Sequence, residues 1–196
     1  FFQSLGINIL QGYGQTECSP LISCNPMNYI KIDTVGPVIT GLEVKISENN
    51  EVLVKGASVM KGYWKNLKAT KSVINSAGWL KTGDYGYLDK AGYLFIVDRL
   101  KDIIIVSGFN VCASEVEEVI LGLDEIQQVA VVGKKDDKHG EIIIAHVVFN
   151  KGKSLSENEI IKHAHAKLAA YKSPKKVVVH KSLAKNAVGK VLKHKL

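Results

Sequence analysis

The residues of this sequence that could do chemistry fall into four short clusters, the first of which spans residues 11–20, "QGYGQTECSP". Its candidate ligand-binding residues are Gly12, Tyr13, Gly14, Thr16 and Glu17. The two glycines allow the backbone to approach a ligand closely, and a hydroxyl beside a carboxylate can bind a phosphate oxygen and a hard cation such as Mg²⁺. The same residues also suit a polar turn after a strand, so this cluster alone does not decide between a site and a turn.

The second cluster is "GWLKTGDYGYLDKAGYLF", residues 78–95. Asp84 follows Thr82 and Gly83 in a predicted turn that is flanked by aromatic residues. A carboxylate in such a place can accept hydrogen bonds from both hydroxyls of a ribose, as the acidic residue does in dinucleotide-binding folds. The alternative is that Asp84 accepts hydrogen bonds from the backbone of its own turn, which is common.

The third cluster is centred on Arg99, the single arginine of the chain, in "VDRLKD" at residues 97–102. The chain has 26 lysines and arginines together, and all except Arg99 are lysines. Arginine presents a planar fork of donors, whereas lysine is a rotatable point charge. This choice favours a contact that needs the fork, although a general preference of the organism for lysine would give the same composition.

The fourth cluster lies near the end of the chain, in "LAKNAVGKVLKHKL" at residues 183–196. Gly189 permits a turn that could present Lys190 at its tip. On composition alone Lys190 is equally well explained as one more charge on a lysine-rich surface.

The elements that must position these residues differ between the two halves of the chain. In the first half, alternating apolar and polar residues predict a hairpin over residues 41–56 and a strand over 92–100, with a short helix over 66–74. In the second half, helices alternate with strands. We therefore predict an α+β protein with a domain boundary near residue 100.

Two helices of the second half are predicted from capping boxes followed by an apolar face. Ser114 with Glu117 begins a helix over residues 114–123, and Ser156 with Glu159 begins a helix over 156–171. The predicted strands of this half span residues 103–107, 126–133, 142–149 and 177–180.

Composition excludes several classes of protein. The chain of 196 residues is 46% hydrophobic and 23% charged, which is typical of globular proteins with a buried core. Its strongly apolar runs are only a few residues long, far short of a bilayer span. Three cysteines without CxxC spacing argue against a disulfide framework and a zinc site, so a reducing cytosol is expected. The first residues lack a Met, a basic start and a cleavage site, so we expect no signal peptide and a start within a longer protein.

The net charge of +7 is concentrated toward the end of the chain, where residues 172–195 carry eight lysines and no carboxylate. Such a stretch can attract nucleic acid, an anionic membrane surface or a phosphorylated small molecule, or it can be a solvated lysine face. Nucleic acid is disfavoured because arginine is nearly absent and no aromatic residues interleave the run.

Taken together and in this order, the clusters resemble the later sequence motifs of the adenylate-forming enzymes, which include acyl-CoA synthetases. The segments that carry the resemblance are "GYGQTE", "VMKGYW", "GWLKTGD", "VDRLKDIIIVSGFNV", "SEVEEVI" and "NAVGK". Within that superfamily, "GYGQTECSPLISCNP", "IVSGFNV" and "VGKVLKHKL" most resemble bacterial long-chain fatty-acid CoA ligases. The resemblance implies that residues 1–100 are the mainly β, barrel-like end of the large AMP-binding domain and that 101–196 are a small α+β lid domain.

The resemblance also implies a two-step reaction in which ATP and a carboxylic acid give an acyl adenylate and pyrophosphate, and the thiol of coenzyme A then displaces AMP. Such a site needs positioned cations and hydrogen-bond donors more than covalent chemistry. The implied nucleotide-binding residues are Gly12, Tyr13 on the adenine, Gly14, Thr16 on phosphate, Asp84 and Arg99 on the ribose, and Lys190 between carboxylate and phosphate. Glu17 would hold Mg²⁺, and Lys190, Thr16 and Glu17 would form the catalytic set. Lys101 would be the hinge of the lid, and Gly108 would line the tunnel for coenzyme A.

The sequence departs from the family pattern at Ala184, where many relatives have proline, and at Cys112 and Ala113, which replace an aromatic residue and a proline. The family's Ser/Thr/Gly-rich phosphate loop and most of the acyl pocket would lie upstream of residue 1. We therefore expect a chain that is roughly the last third of a fatty-acyl-CoA synthetase and is inactive in isolation. The alternatives are a remnant that binds AMP, coenzyme A or a partner without catalysis, and another ligase of the superfamily. A cytoplasmic location is expected, with peripheral association at the inner face of the membrane left open and no nucleic-acid partner.

Overall fold

The computed structural model describes residues 3–187 and 189–196, so Val188 of the "NAVGK" motif lies outside the described residues, as do Phe1 and Phe2. The chain divides into two compact units, Phe1–Leu100 and Lys101–Leu196. Each unit has its own sheet and its own apolar core. No helix within the described residues is both long and apolar enough to cross a membrane.

The first unit is mainly β. Its elements are β1 (Gly12–Gly14), β2 (Leu21–Cys24), β3 (Leu42–Ile46), β4 (Glu51–Gly56), α1 (Leu67–Val73), β5 (Leu80–Leu88) and β6 (Leu94–Arg99). Strands β1 and β2 form an antiparallel ribbon, and β3 to β6 form a four-stranded antiparallel meander in chain order. Isolated bridges from Ser23 to Val38 and from Pro37 to Tyr93 connect the ribbon to the meander.

Burial alternates along β3 and β5, because successive side chains point to opposite sides of a sheet, whereas residues 51–54 of the central strand β4 are all buried. The fully buried residues of its core are Cys18, Ile22, Val52, Val54, Leu80 and Leu94. Helix α1 begins at the residue after Asn66, whose side-chain oxygen accepts a hydrogen bond from the backbone N–H of Ala69 at 3.0 Å. The helix ends where Val73 and Ile74 pack against the same core.

The second unit places two helices against a five-stranded sheet. Its elements are β7 (Ile103–Val106), β8 (Phe109–Cys112), α2 (Ala113–Leu121), β9 (Ile126–Asp136), β10 (Gly140–Phe149), α3 (Glu157–Lys167) and β11 (Lys176–Val179). Strand β10 pairs antiparallel with β9 along its length and parallel with β11. The β7–β8 hairpin joins β10 where Gly140 lies opposite Val106.

The apolar faces of the two helices lie in the core of the second unit. Val116 and Ile120 of α2 and Ile160 and Ala164 of α3 have no solvent exposure. Burying an isoleucine or valine side chain contributes roughly 1.5–3 kcal/mol, so these contacts stabilise the unit far more than helix propensity does.

The two predicted capping boxes have opposite outcomes. The box of Ser156 and Glu159 is present at the start of α3, which confirms that prediction. The box of Ser114 and Glu117 is wrong, because α2 already begins at Ala113 and Ser114 lies inside its first turn. The Glu117 side chain instead accepts a hydrogen bond from the backbone N–H of Val131 at 2.7 Å.

Other boundaries move for identifiable reasons. Helix α3 ends at Lys167, before the predicted residue 171, because Leu168 has an extended backbone and packs against the core. The turn predicted around Asp84 is also wrong, since this residue lies within strand β5. Gly83, with φ of 73°, and a register shift next to Tyr85 make β5 irregular without ending it.

Candidate functional site

A buried carboxylate forms the centre of the candidate site in the first unit. Asp84 is 4% exposed, and its Oδ2 accepts a hydrogen bond from the hydroxyl of Tyr13. Its Oδ1 lies 3.0 Å from Nε of Arg99. The register of β5 and β6 places Asp84 directly opposite Arg99, while Tyr13 comes from the separate β1–β2 ribbon. Three residues predicted from three different clusters are therefore in contact.

The backbone around Asp84 is fixed by two polar residues that the sequence did not single out for this role. The hydroxyl of Thr82 accepts a hydrogen bond from the N–H of Asp84 at 3.1 Å and donates to the carbonyl of Val52 at 2.8 Å. The carboxylate of Glu51 accepts a hydrogen bond from the N–H of Gly83 at 3.0 Å. Both side chains are buried, so these hydrogen bonds hold β5 in place against β4. A buried glutamate at the start of an apolar strand is the signal that could have indicated this support.

The Tyr13 hydroxyl stays protonated under all ordinary conditions. Burial raises the pKa of Tyr13 well above its usual range, and the hydrogen bond that its hydroxyl donates to the Asp84 carboxylate raises this pKa further. A neutral phenol can donate only one hydrogen bond, and here that bond goes to Asp84. The ring of Tyr13 is thereby held in one orientation beside the carboxylate.

Position 14 can only be glycine, because the backbone of a neighbouring segment leaves no room for a side chain. A Cβ atom at this position would lie 1.9 Å from the carbonyl oxygen of Pro20, which is far inside van der Waals contact. The close approach lets β1 fold back on β2, and the N–H of Gln15 donates to the same Pro20 carbonyl at 2.7 Å. At Gly12 the corresponding distance, to the carbonyl oxygen of Ser23, is 3.1 Å, so this position is less constrained.

A cleft of about 450 Å³ opens beside this cluster. Its lining includes Gly14, Gln15, Thr16, Glu17, Tyr63, Lys81, Thr82 and Arg99. The side chain of Arg99 is 50% exposed, so its inner end contacts Asp84 while the rest faces the cleft. The wall of the cleft is rich in hydroxyl, carboxylate and cationic groups, which suits a ligand that carries hydroxyls and anionic oxygens.

Glu17 is the acidic group of the cleft wall. Its Oε1 accepts a hydrogen bond from the Tyr63 hydroxyl at 2.9 Å, and this bond raises the pKa of Tyr63. A carboxylate has about four acceptor positions, so one hydrogen bond leaves capacity for a hard cation. The adjacent hydroxyl of Thr16 supplies another oxygen, and the pair fits the ligand preference of Mg²⁺.

The remaining predicted residues belong to the second unit. Lys101 is exposed in a short 3₁₀ turn, Leu100–Asp102. Gly108, with φ of 85°, lies between β7 and β8, where a Cβ atom would meet nothing within 4 Å. Gly189, with φ of 84°, forms a turn with Asn186, whose side-chain oxygen accepts a hydrogen bond from the N–H of Lys190 at 2.9 Å. The side chain of Lys190 is exposed at this turn.

The lysine-rich stretch 172–195 is partly neutralised within its own unit. Nζ of Lys172 lies 2.7 Å from Glu115, and Nζ of Lys193 lies 2.8 Å from Glu117. Both carboxylates belong to α2, so these two lysines tie the two ends of the 172–195 stretch to that helix.

Comparisons with known proteins give one consistent family. Residues 1–64 match the family model described as AMP-binding enzyme, and residues 115–190 match the model of the AMP-binding enzyme C-terminal domain. The long-chain-fatty-acid–CoA ligase of Haemophilus influenzae is 40% identical over 97% of this chain and 36% of its own length. The 2-succinylbenzoate–CoA ligase of Listeria monocytogenes is 38% identical over 97% of this chain and 40% of its own.

Solved structures agree with the sequence comparisons. The o-succinylbenzoate CoA synthetase of Bacillus subtilis, in complex with its acyl-adenylate intermediate, matches with a TM-score of 0.87 at 33% identity, over 99% of this chain and 42% of its own. ATP-bound MatB from Rhodopseudomonas palustris matches with a TM-score of 0.85 at 33% identity, over 97% and 40%. The chain thus has the α+β fold of the corresponding part of these enzymes and spans about two fifths of their length.

Proposed function

The chain belongs to the AMP-binding, adenylate-forming enzymes, and on that premise we propose that it is the C-terminal part of an ATP-dependent acyl-CoA ligase. The carboxylate of an acid attacks the α-phosphorus of ATP to form an acyl adenylate, and the bond to pyrophosphate breaks. The thiol of coenzyme A then attacks the acyl carbon, forming the thioester and releasing AMP. The observation that carries the proposal is the contact of Tyr13, Asp84 and Arg99 beside a polar cleft.

In this proposal the first unit binds the nucleotide. Asp84 accepts hydrogen bonds from the ribose hydroxyls, and the exposed end of Arg99 donates to the same sugar. The ring of Tyr13 packs on the adenine, with Gly12 and Gly14 fixing its strand. Thr16 contacts a phosphate oxygen.

Glu17 and Thr16 would hold Mg²⁺, which when bound supplies positive charge to the phosphate oxygens. Their oxygens line the cleft and are of the kind this cation prefers. Glu17 is oriented by its hydrogen bond from Tyr63 before any ligand arrives.

The second unit acts as the lid in this proposal. Residues 1–100 are the end of the large AMP-binding domain, and residues 101–196 turn about Lys101 between the two steps. Lys190 bridges carboxylate and phosphate in the first step, where a long, mobile cation suits a transient contact. Gly108 lines the passage for coenzyme A in the second step, and its lack of a side chain keeps that passage open.

For the acid we propose a long-chain fatty acid, supported by the fatty-acid CoA ligases among the relatives. Relatives named for 2-succinylbenzoate and for a propanoyl group on a methyl-dioxo-octahydroindene ring system are similarly close, at 38% and 40% identity. These substrates can be distinguished on the enzyme that carries this chain. The measurement is the rate at which pyrophosphate exchanges into ATP in the presence of each acid. Exchange with 2-succinylbenzoate but not with palmitate would contradict the fatty-acid assignment.

The chemistry itself is testable in a chimera in which this chain replaces the segment it matches in the Haemophilus influenzae ligase. We expect the chimera to catalyse pyrophosphate exchange that depends on a fatty acid. Lys190→Ala should reduce that rate by roughly 10²- to 10³-fold, as expected for loss of a group that stabilises developing charge. Lys185→Ala, a lysine in the same segment, is the matched control and should leave the rate unchanged. A folded chimera that binds ATP but exchanges no pyrophosphate would favour the second candidate.

That second candidate is a binding protein that holds AMP or coenzyme A without catalysis, and it is favoured only by the short span of the match to the relatives. Calorimetry of the 196-residue chain with AMP and with coenzyme A tests it. Cys18, Cys24 and Cys112 are present as thiols and not as disulfides, which fits a reducing compartment and supports a cytoplasmic location under either candidate.

A further inference from the structure

One surface of the first unit combines exposed apolar side chains with a cluster of positive charges. Trp64 is 87% exposed and Leu67 is 67% exposed, although both are large apolar residues. Lysines surround them in the loop before α1 and on the helix itself. We call this the Trp64 surface, and it consists of Lys61, Trp64, Lys65, Leu67, Lys68 and Lys71.

The charge of this part of the chain has a single sign. Residues 52–83 contain six lysines and no aspartate or glutamate. The four lysines of the Trp64 surface are all exposed, and Nζ of Lys65 lies 5.7 Å from the centre of the Trp64 ring. The carboxylate that contacts this loop is Glu17, which accepts its hydrogen bond from Tyr63 at the cleft. The positive potential of the surface is therefore not cancelled by a carboxylate within the segment.

The loop holds Trp64 outward by defined contacts. Tyr63 donates its backbone N–H to the hydroxyl of Thr70 at 2.9 Å and its own hydroxyl to Glu17. Lys65 has a φ of 50°, so the chain reverses sharply there, and Asn66 caps α1 immediately afterwards. Because Tyr63 is fixed at the cleft and α1 is fixed by its cap, the intervening Trp64 is presented to solvent.

We propose that the Trp64 surface docks on an anionic lipid bilayer. Tryptophan prefers the headgroup level of a membrane, where its ring is in apolar surroundings and its N–H remains hydrated. Lysines near the surface of an anionic leaflet strengthen binding by about fivefold each, so four of them complement such a leaflet. The proposal rests on this surface alone and does not depend on the proposed ligase activity.

Nucleic acid is also anionic, but the Trp64 surface fits it less well. It contains no arginine, the residue that reads bases most often, and Leu67 adds apolar area that a phosphate backbone does not bury. The lysine-rich stretch 172–195 is the competing site for a membrane. There Lys172 and Lys193 are already paired with carboxylates of α2.

The first test is direct binding of the 196-residue chain to vesicles. In a Trp79→Phe background Trp64 is the only tryptophan, because the chain has two. With vesicles of equal parts phosphatidylglycerol and phosphatidylcholine, we expect co-sedimentation, a blue shift of the emission and quenching by brominated lipid. Pure phosphatidylcholine vesicles should bind much less, and binding should weaken as salt rises. No blue shift and no quenching with the anionic vesicles would overturn the proposal.

Variants locate the contact on the protein. Lys68→Gln with Lys71→Gln should lower the partition coefficient by roughly 25-fold, at about fivefold per lysine. Trp64→Ala should lower it on the order of tenfold through loss of inserted ring area. The controls are Lys181→Gln with Lys185→Gln, two exposed lysines of the 172–195 stretch, and Ile32→Ala, an apolar side chain that is 80% exposed.

The controls should keep the partition coefficient of the parent chain. If the 172–195 pair weakened binding as much as the pair on α1, attraction would be non-specific and the Trp64 surface would not be the docking site. Binding to duplex DNA that depends on Lys68 and Lys71, without vesicle binding, would likewise refute the membrane assignment. Apart from Trp79 of the background, which is partly buried, all changed side chains are exposed, and circular dichroism checks that each variant remains folded.

Discussion

Replacing Arg99 by lysine tests whether the fork of the guanidinium is the feature that the candidate site needs. Nε of Arg99 is 3.0 Å from Asp84, which leaves the four N–H groups of the two terminal nitrogens on the half-exposed end that lines the cleft. Lysine has one nitrogen, so it can contact Asp84 or a ligand in the cleft but cannot span both. The charge is kept in Arg99→Lys while the geometry is lost.

The magnitude follows from these contacts. A hydrogen bond that involves a charged group contributes about 1.5–3 kcal/mol, which corresponds to roughly 10- to 150-fold in affinity. We expect Arg99→Lys to weaken AMP binding by that factor. The effect on folding should be small, about 1 kcal/mol or less, because lysine keeps a positive charge beside the buried Asp84 and the arginine side of the pair is half-exposed and screened by solvent.

The assay is calorimetric titration of the chimera with AMP, 2′-deoxy-AMP and adenine. If Arg99 donates to the ribose, the substitution should cost affinity for AMP and much less for adenine, which has no sugar. Asp84→Asn should cost a similar amount, and the double variant should lose less than the sum because the two residues act as a unit. Equal AMP affinity in the parent and in Arg99→Lys, or an equal loss with adenine, would refute the assignment of the fork to the ribose.

Three further predictions concern the parts of the fold that support the two units. Gly14→Ala should distort or unfold the β1–β2 ribbon, because the added Cβ would lie 1.9 Å from the carbonyl oxygen of Pro20. We expect urea unfolding to show a loss of about 2 kcal/mol or more in the free energy of unfolding. Unchanged stability would mean that the ribbon relaxes freely. Ser156→Ala removes the N-cap of α3 and should cost about 0.5–2 kcal/mol in the same assay, with Ser156→Asp retaining most of it; equal losses in both variants would exclude the cap. Burial lowers the pKa of His146 below its ordinary 6.5, and so does the charge of the His180 ring, whose nitrogen lies 2.8 Å away. Protonation therefore favours the unfolded chain, and the free energy of unfolding should fall as the pH drops below about 6.5. His146→Phe should flatten this dependence on pH, and an unchanged dependence would assign it to other groups.

The sequence predicted some elements well because their signals are local. The capping box at Ser156 and Glu159 and the alternation of residues 41–56 each lie within a few residues of the structure they specify. The same kind of signal failed at Glu117. Its spacing from Ser114 imitates a capping box, but the side chain accepts its hydrogen bond from Val131, a partner that is distant in sequence.

Strand β5 shows why the most functional segment was also the hardest to predict. Its inward-facing residues include Thr82 and Asp84, which are polar, so the apolar alternation that indicates a strand is interrupted there. Gly83 and Gly86 add a turn-like composition. The polar residues are tolerated inside because each has partners: Thr82 bonds to Val52, and Asp84 bonds to Tyr13 and Arg99.

The sequence by itself determined the residue types of the site, the resemblance to the adenylate-forming enzymes and the change of pattern near residue 100, since these are properties of short segments and their order. Only the tertiary structure decided which of those residues meet. Tyr13 is 71 positions from Asp84 in the sequence. Arg99 reaches the same carboxylate because the register of β5 and β6 places Arg99, and not a residue beside it, opposite Asp84. The physical reason is that register comes from hydrogen bonds and core packing between distant strands, and a shift of one residue would turn each of these side chains to the opposite face.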